Sequence, residues 1–141
     1  NGGVPKHPVD SAYIGTYGVK GDKQNDLKHH GGENRAVCLY SSDLIAQLQK
    51  EGHPIFEGST GENITIQGLD WSSLQKGDLL EIGEVKIELT KPTPPCKTIA
   101  KSFINEKFVR ISENKYPGWS RWYAKVLIEG KVGINDIVSL K

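Results

Sequence analysis

Leu79-Leu80-Glu81-Ile82-Gly83-Glu84-Val85-Lys86-Ile87-Glu88-Leu89 reads as two short strands around a turn. The apolar residues alternate with polar ones along each half, and only Gly83-Glu84 separates the halves. That pattern specifies a β-hairpin. A turn signal, Gly77-Asp78, precedes it. Thr90-Lys91-Pro92-Thr93-Pro94-Pro95-Cys96-Lys97 follows it. Three prolines fix φ and remove backbone donors, so the second strand is expected to end where they begin. The chain then leaves the sheet as a stiff loop ending on Cys96. A thiol beside a lysine is a candidate reactive thiolate or soft-metal ligand. The competing reading is a free cysteine packed as a small hydrophobe.

Working outward, strands are expected over residues 9–17, 36–40, 64–66, 122–129 and 137–140. One amphipathic helix is expected over residues 42–51. Ser41 or Ser42 is suited to its N-cap, and Gly52 stands where a C-cap glycine belongs. Ile99, Ala100, Phe103 and Ile104 have helical spacing, and Phe108, Val109 and Ile111 point to a further short helix. Residues 23–34 are polar and contain His29-His30-Gly31-Gly32. Many short strands with glycine turns and few helices point to a mainly β fold, a closed barrel with helices outside.

The 141 residues amount to one ordinary domain, residues 1–141, with enough chain for a core. With 18 basic and 17 acidic residues, the charge does not favour nucleic acid or a polybasic membrane surface. No apolar run approaches a membrane span. Two cysteines, Cys38 and Cys96, do not make a disulfide framework, and a reducing cytoplasm is the expected compartment. The chain opens on Asn1-Gly2-Gly3, and a first strand is expected to precede it in the full protein.

Several short stretches share one order: Gly21-Asp22, His30-Gly31-Gly32 with Arg35-Ala36-Val37, Gly61-Glu62-Asn63, Pro95-Cys96, and Pro117-Gly118-Trp119-Ser120-Arg121-Trp122-Tyr123-Ala124. In that order they resemble a MOSC domain, the family named for the C-terminal domain of molybdenum-cofactor sulfurases, and the small stand-alone bacterial members most of all. The resemblance implies a closed β-barrel of complex topology, like the small barrel domain of pyruvate kinase. It implies one functional cysteine, Cys96, that ligates molybdenum in a pterin cofactor or carries sulfur. It also implies reduction of N-hydroxylated compounds, with a cysteine desulfurase or an electron-transfer protein as partner. Pyridoxal phosphate belongs to a domain fused in the large sulfurases, and this chain is not expected to bind it.

Around Cys96 the candidate site gathers residues with open alternatives. Lys97 would favour the thiolate, or is a solvated lysine. Cys38, between Val37 and Leu39, reads as a packed core cysteine. His30, followed by glycines, is a candidate ligand-binding residue, and His29 reads as surface. Arg35 and Arg121 match phosphate geometry, with a structural ion pair as the rival reading. Gly61 and Asn63 would offer amides to a pterin or a metal oxo group, and Glu62 would pair with an arginine. Ser120 and Tyr123 would hydrogen-bond in the pocket, Trp119 would wall it, and Asp22 would hold Arg35 or His30. Two rival functions use the same barrel: a metal-free cysteine enzyme with His29 or His30 as base, and a non-catalytic binding module.

Overall fold

The computed structural model describes residues 10–20 and 32–141. Among these residues nine strands form two sheets. The smaller contains β1 (Ser11–Gly15), β2 (Gly18–Val19) and β8 (Gly130–Gly133), in the order β2-β1-β8. The larger contains β3 (Val37–Ser41), β4 (Ile64–Ile66), β5 (Leu79–Ile82), β6 (Val85–Thr93), β7 (Arg121–Ile128) and β9 (Val138–Leu140). Its order is β4-β3-β7-β6-β5-β9. All its pairings are antiparallel except β3 with β4.

The mainly β class holds, but the closed barrel does not. Among the described residues, the larger sheet is a curled half-barrel whose end strands β4 and β9 are each paired on one side only. Each is three residues long. Strands that short expose few unpaired backbone groups, so the sheet can stay open at modest cost.

The hairpin forms as its alternation dictates: Leu80 faces Ile87 and Ile82 faces Val85, and all four are buried. Gly83 sits at φ 55° in its two-residue turn. Leu39, Leu80, Ile87, Leu89 and Ala124 anchor the core. Helix α1 (Ser42–Lys50) covers one flank with Ile45 and Leu48 buried. Ser41 caps it by accepting the Leu44 amide at 3.1 Å, and Gly52 follows at φ 100°.

Two local expectations need correction. Strand β6 does not stop at the prolines. It runs through Pro92 to Thr93, pairing Pro92 with Trp122. Strand β5 flanks β6 only as far as Glu88, and the backbone of Gly77 and Asp78 extends the pairing to Leu89. Past Leu89 no described strand pairs with that edge, so proline's missing donor costs little there. The segment after Cys96 is a chain of 3-10 turns, Lys97–Ser102, Ile104–Glu106 and Phe108–Ile111. Asn105 and Glu106 interrupt it at φ 54° and 59°, which an α-helix cannot accommodate.

Candidate functional site

Strand register assembles the site. Cys38 on β3 lies opposite Tyr123 on β7, and Thr93 on β6 lies opposite Arg121 on β7. Opposed residues share a sheet face, and residues two apart on a strand do too. Cys38, Tyr40, Thr93, Arg121 and Tyr123 therefore stand on one face. Val37, Leu89 and Ala124, on the other, are fully buried in the core. The Cys38 Sγ lies 3.6 Å from the Thr93 Oγ1. Cys38 is buried, as its strand predicts, but it packs into the polar face.

The loop before β4 is built around Glu62, which is 2% exposed. Its carboxylate accepts from the Gly58 amide at 2.9 Å, the Thr60 hydroxyl at 2.7 Å and the Thr65 hydroxyl at 3.1 Å. Its partners among the described residues are thus donors of its own loop and of β4 rather than the expected arginine. Carboxylates accept several such donors well, and this one locks the loop. Gly61, at φ 79°, spends its amide on the Gly58 carbonyl at 3.0 Å. Asn63 clamps the loop to β3: its amide donates to the Cys38 carbonyl and its Oδ1 accepts the Cys38 amide, both at 2.8 Å. The backbone amides of Gly61 and Asn63, expected to face a ligand, are therefore committed within the protein.

Arg121 bridges this loop to the one carrying Cys96. It is 4% exposed. Nη1 donates to the Thr60 carbonyl at 2.7 Å and Nη2 to the Pro94 carbonyl at 3.2 Å. Its Nε is buried without a partner. Among the described residues no carboxylate pairs with it, so the structural ion pair is not found. Ser120 has a framework role instead of a pocket-facing one. It is 1% exposed, and its hydroxyl lies 3.2 Å from the Thr93 carbonyl and 2.8 Å from the Arg121 carbonyl.

Cys96 is half-buried at the start of the 3-10 turn, its Sγ 2.9 Å from the Thr98 Oγ1. Lys97 is exposed. Arg35, in the turn Glu33–Arg35 before β3, holds its guanidinium 5.4 Å from the centre of the Tyr123 ring. Burial pushes the Tyr123 phenol up to about 12. The Cys38 and Cys96 thiols push it the same way, while Arg121 and Arg35 pull against them. Tyr123 thus stands opposite Cys38 with the Arg35 guanidinium over its ring. Trp119 stacks on Arg110, with the Arg110 Cζ 4.0 Å from its ring centre, and its carbonyl accepts the Tyr40 hydroxyl at 2.6 Å.

The structure thus brings Arg35, Arg121 and Tyr123 together and ties the loop that leads to Cys96 to them through the Pro94 carbonyl, with the loop of Gly61, Glu62 and Asn63 as their support. Asp22, His29 and His30 lie outside the described residues. Sequence reasoning missed Cys38 and Thr93 as members of this face. Alternation gave a signal for Cys38, since it shares a face with Tyr40, but the apolar run 36–40 hid it.

The MOSC domain model matches residues 26–139. The chain belongs to the MOSC domain family. It is 32% identical to the uncharacterized protein YflK of Bacillus subtilis (strain 168), over 92% of this chain and 59% of YflK. It is 29% identical to protein YiiM of Escherichia coli (strain K12), over 97% of this chain and 62% of that protein. The chain therefore spans about three-fifths of the length of these curated relatives. Its fold matches the crystal structure of YiiM from Geobacillus stearothermophilus with a TM-score of 0.74 and 25% identity. That match covers 99% of this chain and 65% of the other. The YUAD protein of Bacillus subtilis shares the MOSC-like fold alone, with a TM-score of 0.69 at 17% identity, over 94% of this chain and 85% of that one.

Proposed function

We propose that this MOSC domain binds a molybdenum–pterin cofactor, with Cys96 as the protein's ligand to the metal. The observation that carries this reading is a half-exposed thiol on a loop tied, through the Pro94 carbonyl, to a buried guanidinium that has no carboxylate partner among the described residues. The thiol suits a soft, high-valent metal. The guanidinium suits an anionic oxygen group, and the partnerless Nε of Arg121 leaves a donor for it. Among the described residues no group of three or more His, Cys, Asp or Glu side chains could hold a metal alone. A metal at Cys96 would thus take its other ligands from the cofactor.

When bound, the cofactor supplies a metal centre able to exchange an oxygen atom and two electrons. The chain's own residues bind and orient. Thr98 holds the Cys96 sulfur, Arg121 fixes the two loops that flank the site, and Tyr123 stays protonated at neutral pH as a hydrogen-bond donor. The substrate class we assign is N-hydroxylated compounds, reduced at the N–OH bond to N–H with release of water. The two electrons come from an electron-transfer partner and the two protons from solvent.

The half-exposure of Cys96 also supports a second reading, a sulfur carrier on which Cys96 receives a persulfide sulfur from a desulfurase. One experiment separates the two. The protein is produced in a host that makes molybdenum cofactor, purified without oxygen, and assayed for molybdenum and pterin alongside Cys96→Ala. Near-stoichiometric cofactor in the parent, lost in the variant, is expected. A parent free of both overturns the cofactor reading, and mass spectrometry of Cys96 for a persulfide then tests the carrier.

A further inference from the structure

His53 follows the end of α1, where its amide donates to the Leu48 carbonyl at 3.1 Å. Its side chain is 9% exposed. Nδ1 accepts the Ile104 amide at 3.1 Å. A neutral imidazole that accepts at Nδ1 carries its proton on Nε2, and that nitrogen lies 3.4 Å from the Glu51 Oε1. The ring packs edge-on against Phe103, with centroids 5.4 Å apart. Two charged groups face it. One is Glu51, at the end of α1. The other is Arg110, which grips the same carboxylate through Nε at 3.0 Å and Nη2 at 2.8 Å.

The segment that His53 holds is strained. Asn105 and Glu106 sit at φ 54° and 59°, a region that side chains beyond glycine enter only at a cost. Two turns close the segment on itself: the Glu106 amide donates to the Phe103 carbonyl at 3.0 Å and the Lys107 amide to the Ile104 carbonyl at 3.1 Å. Among the described residues, His53 is the side chain that hydrogen-bonds it to the rest of the chain. The same run of turns begins beside Cys96. Its Ser102 hydroxyl lies 3.0 Å from that of Ser59, in the loop that Glu62 and Arg121 fix.

A proton on Nδ1 turns this acceptor into a donor that faces the Ile104 amide, another donor. The imidazolium still attracts Glu51, but Arg110 repels it, and the Ile104 amide is left without its partner. We infer that His53 is a proton-operated clasp on the segment that follows Cys96, closed while its imidazole is neutral and open at residues 104–106 once Nδ1 is protonated. The device does not depend on what Cys96 binds.

Amide hydrogen exchange at Ile104 tests it, corrected for the intrinsic pH dependence of exchange. The ring-proton resonances of His53 are followed in parallel from about pH 8 to about pH 5, the span in which histidine changes charge. Protection at Ile104 is expected to fall about three- to tenfold as His53 gains its proton, the scale of one hydrogen bond. Protection in β7 should stay constant over the same span. His53→Asn keeps a side-chain acceptor that does not titrate, so Ile104 protection in that variant should not change with pH. His53→Leu should lower it at every pH. Three outcomes overturn the inference. They are constant Ile104 protection while His53 titrates, an equal fall in His53→Asn, and a ring that stays neutral throughout.

Discussion

The Arg121 guanidinium donates to the Thr60 carbonyl at 2.7 Å across 61 residues of sequence, and its other terminal nitrogen reaches the Pro94 carbonyl at 3.2 Å. One side chain thus ties the Glu62 loop to the loop that presents Cys96. Arg121→Met should cost about 1.5–3 kcal/mol, the scale of hydrogen bonds made by a charged group. Arg121→Lys should recover little, because an ammonium lacks the planar fork that spans two carbonyls. Urea unfolding midpoints check both. An Arg121→Lys variant as stable as the parent would contradict the bridging role.

Glu62 is the second fixed point. Glu62→Gln replaces one acceptor oxygen with a donor facing hydroxyl and amide donors. The expected destabilisation is about 1–3 kcal/mol. Because Asn63 grips β3 at Cys38, hydrogen exchange at the Cys38 amide should accelerate in the same variant. Exchange unchanged there would show that the loop is held without Glu62.

The two thiols should separate by accessibility. Cys96 should react with a neutral alkylating reagent in the folded protein, while Cys38, 8% exposed, should react only as the protein unfolds. Peptide mass spectrometry at rising urea reads both. Equal labelling in native buffer would refute the burial of Cys38.

Alkaline pH should weaken the fold in a defined window. The Tyr123 phenol moves from 10.0 to about 12 on folding, so between those values the folded state holds a proton that the unfolded state has lost. Stability is then fully present below about pH 10 and falls as pH rises toward about 12. Burial raises the Tyr40 phenol as well, which extends the decline. Tyr123→Phe should flatten the first part of the slope, measured by chemical denaturation across that range.

Gly83→Ala tests the hairpin turn. The position has φ 55°, and an added Cβ would lie 2.9 Å from the Lys131 carbonyl oxygen. The strained backbone and the close contact should together cost about 1–3 kcal/mol. A thermal midpoint equal to the parent's would show that the turn can relax.

Much of the secondary structure was legible because its causes are local. Alternation set β5 and β6, Ser41 and Gly52 bracketed α1, and the motif order pointed to the MOSC family. Other features escaped because their causes are not local. Pro92 stays in its strand because β5 has already ended beside it, a fact absent from the sequence around Pro92. Ser120 turns inward because a remote carbonyl, that of Thr93, waits for its hydroxyl. Cys38 hides in an apolar run, and its membership in the site face depends on Tyr123, 85 residues away.

By itself, the sequence determined the hairpin, the helix and the family to which they belong. These follow from side-chain period, capping and turn chemistry within a few residues. Only the tertiary structure decided that the large sheet stays open, that Arg121 joins two loops, and that β6 keeps its pairing with β7 through Pro92. Each of these is a choice of register between remote strands, and a shift of one residue exchanges the two faces of a sheet.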